Sequence, residues 1–459
     1  MGSILVKNGT VVSPLDSREL DVYIEGTTIV AVGAALELSA DRVIDASGCY
    51  VLPGGVDVHT HLEMPFMGEV SADDFTSGTA AAMAGGTTTI IDYVVPAKQQ
   101  SLLEALALWK EKAKGAVADY GFHMAVTWYS DQVAREMTTC VHDEGISSFK
   151  AFLAYKGAIM VNDDELFAML IHARELGALI MAHCENGEIV ALLQERLFNQ
   201  GKTEPKYHAL SRPSYAEGES AFRLAAMAKA VGVPAYFVHM SCAESTKVLV
   251  DGRSGGTPLY GETCPQYLLL DDSVYEQPNF RGAAYVMSPP IRPKGHADAL
   301  WGAIRAGQIE VIGTDHCPFN LKGQKELGRD DFRKIPNGAA GLEDRLKLMY
   351  TYGVQTGRIS IEQMVATCAT RPAQIFGMYP QKGIIAPGSD ADLVVWQPEG
   401  EGVISAATHH HRVDTSIFEG FKTIGGPAFV IAAGRLQYEE GTLMVEPGAG
   451  NFIPRRPTP

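Results

Sequence analysis

His59 and His61 lie one residue apart at the close of an apolar run, 51–58. In an extended strand residues i and i+2 project from the same face, so both imidazoles can point together. Alone, a His-x-His pair reads as readily as two hydrogen-bonded or surface histidines. The pattern recurs at other run ends: His183 closes 179–183, His239 closes 236–239, and Asp315 follows 311–314. A single histidine on an apolar strand is usually a core residue with a local hydrogen bond. Four at corresponding ends, joined by an aspartate, form the donor set that holds zinc and similar divalent ions. Lys150 stands inside another apolar run, Ser148-Phe149-Lys150-Ala151-Phe152. A buried lysine is costly unless it is paired or neutral. Three readings stay open on the residue alone: a buried ion pair, a Schiff-base lysine, or a lysine carbamylated by carbon dioxide, whose two anionic oxygens can bridge two cations.

These residues need a scaffold that brings many strand ends together. From about residue 51, eight short apolar runs (51–58, 87–95, 122–128, 147–154, 178–183, 235–240, 259–263 and 309–313) alternate with helix-like stretches such as 101–115, 164–176, 218–231 and 296–307. Runs apolar on both faces suit buried parallel strands. Eight strand-then-helix units predict an α/β chain folded as a (β/α)8 TIM barrel, whose active sites open at the C-terminal ends of the strands; an open doubly wound sheet shares the same local grammar. Further helices are predicted at 341–352 and 361–376. Both chain ends read as β: Val22-Tyr23-Ile24 and Ile29-Val30-Ala31-Val32 flank a glycine-containing hairpin loop, Asn8-Gly9 is a turn signal, and 392–396 and 428–432 are strand-like. The expected organisation is a small β-sandwich built from residues 1–53 and 379–459, with the barrel at 54–378 between its halves.

Composition narrows the function classes. The 38 basic against 54 acidic residues leave a net charge of −16, which disfavours a phosphate-neutralising surface for nucleic acid and docking on anionic membranes. No apolar run reaches the ~18–20 residues of a membrane span, and the N-terminus lacks the basic-then-apolar pattern of a signal peptide. Seven cysteines (49, 140, 184, 242, 264, 317, 368), odd in number and without a CxxC pair, match reduced thiols in a cytoplasmic protein. Only the tail 454–459 reads as disordered.

Longer segments around the candidate residues carry a resemblance. Gly55-Val56-Asp57-Val58-His59-Thr60-His61, with Lys150, His183, His239 and Asp315, is similar to the amidohydrolase superfamily. Phe149-Lys150-Ala151-Phe152-Leu153-Ala154-Tyr155-Lys156, His183-Cys184-Glu185-Asn186, Gly261-Glu262-Thr263-Cys264-Pro265-Gln266-Tyr267, Gly313-Thr314-Asp315-His316-Cys317-Pro318-Phe319, Ile335-Pro336-Asn337-Gly338 and Gly388-Ser389-Asp390-Ala391-Asp392-Leu393 bring it closer to the hydantoinase/dihydropyrimidinase branch. The resemblance runs from about residue 4 to 440. It implies two divalent ions per chain, with zinc expected: one on His59, His61, Lys150 and Asp315, the other on Lys150, His183 and His239, with Lys150 carbamylated and bridging. It further implies hydrolysis of a small cyclic diamide (a dihydropyrimidine or a 5-substituted hydantoin) to an N-carbamoyl amino acid. Asp315 would move the proton, Tyr155 would stabilise the oxyanion, and backbone groups at Ser288 and Asn337 would hold the imide edge. A homotetramer is carried over in the same way.

Other features are assigned more plainly. Met64, Phe66, Phe152 and Ile159, apolar and close in sequence to His61 or Lys150, are the expected wall against the ring substituent. Asp57 is expected to orient ligands without being one. Cys184, Cys264 and Cys317 are read as packing residues, and His409-His410-His411 as a surface loop. Rival readings are an allantoinase or dihydroorotase, an amidohydrolase acting on another ring, and a non-catalytic dihydropyrimidinase-related scaffold. The last loses metal ligands, whereas this chain keeps all six.

Overall fold

The computed structural model describes residues 2–457. Two sheets dominate it. Nine strands form the first: Ser3–Val12, Ser17–Glu25, Thr28–Gly33, Arg42–Asp45 and Tyr50–Pro53 from the N-terminal end, then Leu393–Val403, Lys422–Ala432, Arg435–Glu439 and Thr442–Leu443 from the C-terminal end. Tyr50–Pro53 joins the halves: Val51 lies opposite Val11 in a parallel pair and opposite Val395 in an antiparallel one. The sheet closes over its own core of Val6, Val22, Ile24, Ile29, Val51, Leu393, Val395 and Ile431. Asn8-Gly9 is not a turn. Asn8 adopts φ 62° within a continuous strand, where the register shifts between Val6 and Gly9; a bulge accommodates the same residue types as a turn does.

The second sheet is the barrel. Its eight parallel strands are Gly55–Thr60, Thr87–Val94, Asp119–Val126, Ser148–Phe152, Leu179–His183, Ala235–Phe237, Leu259–Thr263 and Val311–Ile312, each beside its sequence neighbour. The circle closes just beyond the last strand, where Thr60 bridges His316 and the His61 N–H donates to the His316 carbonyl at 2.8 Å. The run 51–58 is therefore not one barrel strand. It divides at Gly54, where a Cβ would stand 2.1 Å from the Thr88 Oγ1, so the backbone can pass from one sheet to the other only as glycine. The outer helices begin and end on local signals. Asp163–Leu176, for instance, starts at an Asn162/Glu165 capping box and stops at Gly177, φ 63°. The helices predicted at 341–352 and 361–376 contain π turns at Tyr350–Val354 and Ala366–Thr370.

The tail departs from its expected disorder. The Tyr120 N–H donates to Asn451 O at 2.9 Å, Ile453 N–H to Tyr120 O at 2.7 Å, and Arg455 N–H to Gly145 O at 2.7 Å. Arg455 is buried with its guanidinium on the Phe122 carbonyl. These contacts fix residues 451–455 across the N-terminal end of the barrel, and Thr458 and Pro459 lie outside the described residues. Among the described residues the seven cysteines are unpaired and no helix is long and apolar enough to cross a membrane.

Candidate metal and active site

The ends of the strands deliver the candidate residues to one place. His59 is next to last in the first strand and His61 follows it, with their Nε2 atoms 3.2 and 3.3 Å from the Asp315 Oδ1. Lys150, in the middle of the fourth strand, brings its Nζ to 2.9 Å from the His59 Nε2. His183, ending the fifth strand, presents its Nδ1 3.0 Å from the Nε2 of His239, which follows the sixth. The rings of His59 and His239 stack at 5.2 Å and link the two groups. Three of the residues hold left-handed backbone: His239 at φ 37°, Asp315 at 53° and Tyr155 at 65°. Side chains with a Cβ rarely adopt that region, and such strain gathers at functional sites.

Electrostatics follow from this dry setting. Burial lowers the pKa of all four imidazoles. It raises that of Asp315, but the imidazoles of His59, His61 and His239 outweigh it and hold the carboxyl well below the usual carboxylate range. Burial also pulls Lys150 down to about 8, against the opposing pull of Asp315 and Glu262. A lysine so placed supplies the neutral amine that carbamylation requires. The donor set fits divalent cations. His59, His61 and Asp315 each bring one ligand atom within 4.8 Å of the others. The 3.0 Å between His183 Nδ1 and His239 Nε2 is close to the ~3.3 Å that two nitrogens keep when each lies about 2.0 Å from one tetrahedral zinc.

Outer groups fix the ligand tautomers, and here the sequence reading was incomplete. Glu262, at the end of the seventh strand, accepts from His59 Nδ1 at 2.5 Å, from the Tyr236 hydroxyl at 2.9 Å and from the His239 N–H at 2.9 Å. Burial pushes its carboxyl up to about 8 against these donors. Glu185 accepts from His183 Nε2 at 2.8 Å and from Arg212 Nη1 at 2.6 Å. Burial acts upward on Glu185 too, but the Arg212 guanidinium and His183 hold it well below the carboxylate range. Both glutamates stand in quoted segments, His-Cys-Glu-Asn and Gly-Glu-Thr-Cys; two-residue spacing from a ligand and a strand-end position were the available signals. Asp57 accepts from the His59 N–H at 3.0 Å and the Thr314 N–H at 3.3 Å, so it ties together the backbones that carry His59 and Asp315.

A pocket opens over the ligands. Met64, Phe66, Phe152 and Ile159 line it with Tyr155, Ser288 and Asn337; Val95 and Cys317 also line it and had not been singled out as wall residues. The Tyr155 ring meets Phe66 edge-on at 5.5 Å and Phe152 at 6.0 Å, and its hydroxyl lies against the Ser288 and Asn337 side chains. Asn337 Nδ2 donates to Ser288 Oγ at 2.9 Å. The Arg212 guanidinium stands 5.4 Å from the Tyr155 ring, committed to Glu185. Cys184 and Cys264, read as packing residues, are buried in the barrel's hydrophobic core.

The histidine tract is not a surface loop throughout. His411 is buried, its ring 4.8 Å from that of His316. With Asp73 these two form a second His/Asp group. Most of its atoms are engaged: His316 Nε2 faces Asp73 Oδ2 at 3.1 Å, the Gly341 N–H reaches His316 Nδ1 at 3.3 Å, and the Glu343 N–H reaches His411 Nε2 at 3.3 Å, while His411 Nδ1 is buried without a hydrogen-bond partner among the described residues. The group braces the segment after Asp315 against the C-terminal part of the chain.

The amidohydrolase family model matches residues 50–436. The D-hydantoinase of Geobacillus stearothermophilus is 47% identical over 98% of this chain and 96% of its own length. The dihydropyrimidinase of Rattus norvegicus is 43% identical over 99% and 89%. Among solved structures, dihydropyrimidinase from Brevibacillus agri superposes with a TM-score of 0.98 at 46% identity, covering 99% of both chains. L-hydantoinase from Arthrobacter aurescens reaches 0.90 at 29% identity, over 99% of this chain and all of its own. With strand ends, buried histidines and full-length similarity in agreement, the chain belongs to the amidohydrolase family, in its hydantoinase and dihydropyrimidinase branch.

Proposed function

We propose that this chain is a metal-dependent cyclic amide hydrolase that opens dihydropyrimidines and 5-substituted hydantoins to N-carbamoyl amino acids. The observation that carries the reading is the single pocket in which Lys150, His61, His183, His239 and Asp315 face Tyr155, Ser288 and Asn337. His59, His61, Lys150 and Asp315 would hold one divalent ion and Lys150, His183 and His239 the other, with zinc expected and Lys150 as the bridging carbamate. Two such ions, when bound, lower the pKa of a shared water and polarise the ring carbonyl. The chain's own residues do the rest. Asp315, held ionised, takes the proton of the attacking water and delivers it to the leaving ring nitrogen, without which an amide anion leaves poorly. The Tyr155 hydroxyl donates to the developing oxyanion. Backbone groups at Ser288 and Asn337 grip the imide edge, which turns the substituent on the sp³ carbon toward Met64, Phe66, Phe152 and Ile159. That apolar wall favours an unsubstituted or apolar-substituted ring. It disfavours dihydroorotate, whose carboxylate would find no free arginine, Arg212 being paired with Glu185.

A homotetramer in the cytoplasm completes the proposal. Phe167 and Ile171 on one helix and Tyr215 and Phe222 on another are exposed, and Arg223 pairs with Asp163 between these helices; an apolar surface of this kind suits burial against a second copy. Steady-state rates on dihydrouracil, hydantoin, 5-substituted hydantoins, allantoin and dihydroorotate test the function. Turnover of the first three classes is expected. Exclusive turnover of allantoin or dihydroorotate, or of none of the five by metal-replete protein, overturns it.

A further inference from the structure

Lys325 lies in the loop beyond the eighth strand with 1% of its surface exposed and in no ion pair with a carboxylate among the described residues. Its Nζ donates to the Val286 carbonyl at 2.9 Å and to the Pro336 carbonyl at 3.0 Å. Those two carbonyls belong to the segments that carry Ser288 and Asn337. Other side chains secure one of them: His208 Nε2 donates to Met287 O and the Tyr267 hydroxyl to Pro289 O, both at 2.8 Å. Lys325 spans both segments through their backbones. The Gly338 N–H on Val286 O at 3.0 Å and the Asn337 amide on Ser288 Oγ complete the seam.

Keeping an ammonium there is expensive. Burial pushes its pKa down to about 7, and the one group opposing this is the Cys317 thiol, itself held neutral by burial. Two carbonyls do not repay the desolvation of a cation, so an apolar residue of similar length would serve stability as well. What it would not supply is a link between the two loops. Nor would it polarise the Pro336 carbonyl, which shares a peptide group with the Asn337 N–H. That N–H has no hydrogen-bond partner among the described residues, and a cation at the carbonyl oxygen makes it a stronger donor.

We propose that Lys325 is a positioning residue for the substrate ring, setting the separation of Ser288 and Asn337 and sharpening the Asn337 N–H as a donor to the imide edge. The inference rests on the cyclic-amidase reading above. Lys325→Met removes the donors at similar length, and Lys325→Gln keeps an amide donor without the charge. Each is compared with wild type for kcat and KM on dihydrouracil and hydantoin, metal content per chain and melting temperature. A misplacement near 1 Å costs on the order of 10²-fold, so Lys325→Met should lose about that much in kcat/KM, chiefly through KM, at wild-type metal content. Lys325→Gln should lose less. Unchanged KM, or a parallel fall of kcat, metal content and melting temperature in both variants, overturns the proposal. If Lys325→Met does not fold, Lys325→Gln decides by the same criteria. A wild-type protein that turns over neither ring overturns the cyclic-amidase reading itself, whereas an active wild type with unshifted variants overturns only the role of Lys325.

Discussion

Glu185→Gln should loosen one metal position and spare the other. The Glu185 carboxylate takes the His183 Nε2–H at 2.8 Å, which leaves Nδ1 bare and facing His239. An imidazole ligand braced in this way commonly loses 10–100-fold in metal affinity when the brace is removed, or about 1.4–2.7 kcal/mol. Glutamine has two ways to fail. With its oxygen toward His183 it gives a weaker, uncharged acceptor and turns its amide toward Arg212. With its nitrogen toward His183 it drives the ring proton onto Nδ1, where the ion should bind. Breaking the buried pair with Arg212 also costs about 3–5 kcal/mol of stability, so melting will fall whatever happens to the metals. The informative quantity is therefore the ratio between the two sites. Protein loaded with zinc is dialysed against graded chelator, and metal per chain is counted by mass spectrometry. Wild type should lose its ions at two free-metal concentrations; in Glu185→Gln the weaker step should move by 10–100-fold while the other, on His59, His61 and Asp315, stays put. Joint displacement of both steps, or none, refutes the assignment of Glu185 to the His183 position.

Lys150→Arg should lose activity and metal together, because guanidinium cannot form a carbamate, and Lys150→Ala should regain part of its activity with short carboxylic acids; wild-type metal content and rate in Lys150→Arg would exclude the bridge. Phe66→Ala or Phe152→Ala should shift the kcat/KM ratio of a phenyl-substituted hydantoin to hydantoin by about 10–200-fold, and a constant ratio would mean that these side chains do not form the substituent wall. Asp344, raised by burial from 3.8 to about 7, binds a proton in the folded chain that the unfolded chain has already released between about pH 4 and 7, so its burial costs stability as pH rises through that window. Asp344→Asn should thus gain on wild type in melting temperature between pH 5 and pH 8; an offset independent of pH would contradict this.

The barrel was legible because its strands are apolar on both faces and its helices carry their own stop signals, as at Gly177. The histidine and aspartate ligands were legible because each stands at or near a strand end, and a barrel gathers such ends; Lys150, in the middle of its strand, was legible as a lysine inside an apolar run. What escaped depends on contacts remote in sequence. Residues 51–58 are apolar apart from Asp57, and Pro53-Gly54-Gly55 marks a break without saying that the chain changes sheets there; the approach of Thr88 to Gly54 does. His411 reads as part of a polar tract until His316 and Asp73 close over it. Arg455 sits among prolines typical of a loose tail and gains its order from carbonyls on the barrel floor. Glu185 stands two residues from His183 and was open to reading by spacing, but its Arg212 partner and the contacts of Glu262 with His59, Tyr236 and His239 are made between segments remote in sequence.

The passage of Tyr50–Pro53 between the two halves of its sheet bears on how the chain is made. One flank of this strand is filled at once by Ser3–Val12, but the other waits for Leu393–Val403, which pairs with it across the whole length of the barrel. At about 5–20 residues per second of synthesis, that wait is on the order of tens of seconds. During it the nascent chain displays an apolar edge, Val51 and Leu52, able to pair with any strand nearby. The long sequence separation also makes this junction a slow, late event. Assembly is thus set by the segment that begins at Leu393, and substitutions that weaken the 393–395 register should lower soluble yield well before they touch the rate of a folded molecule.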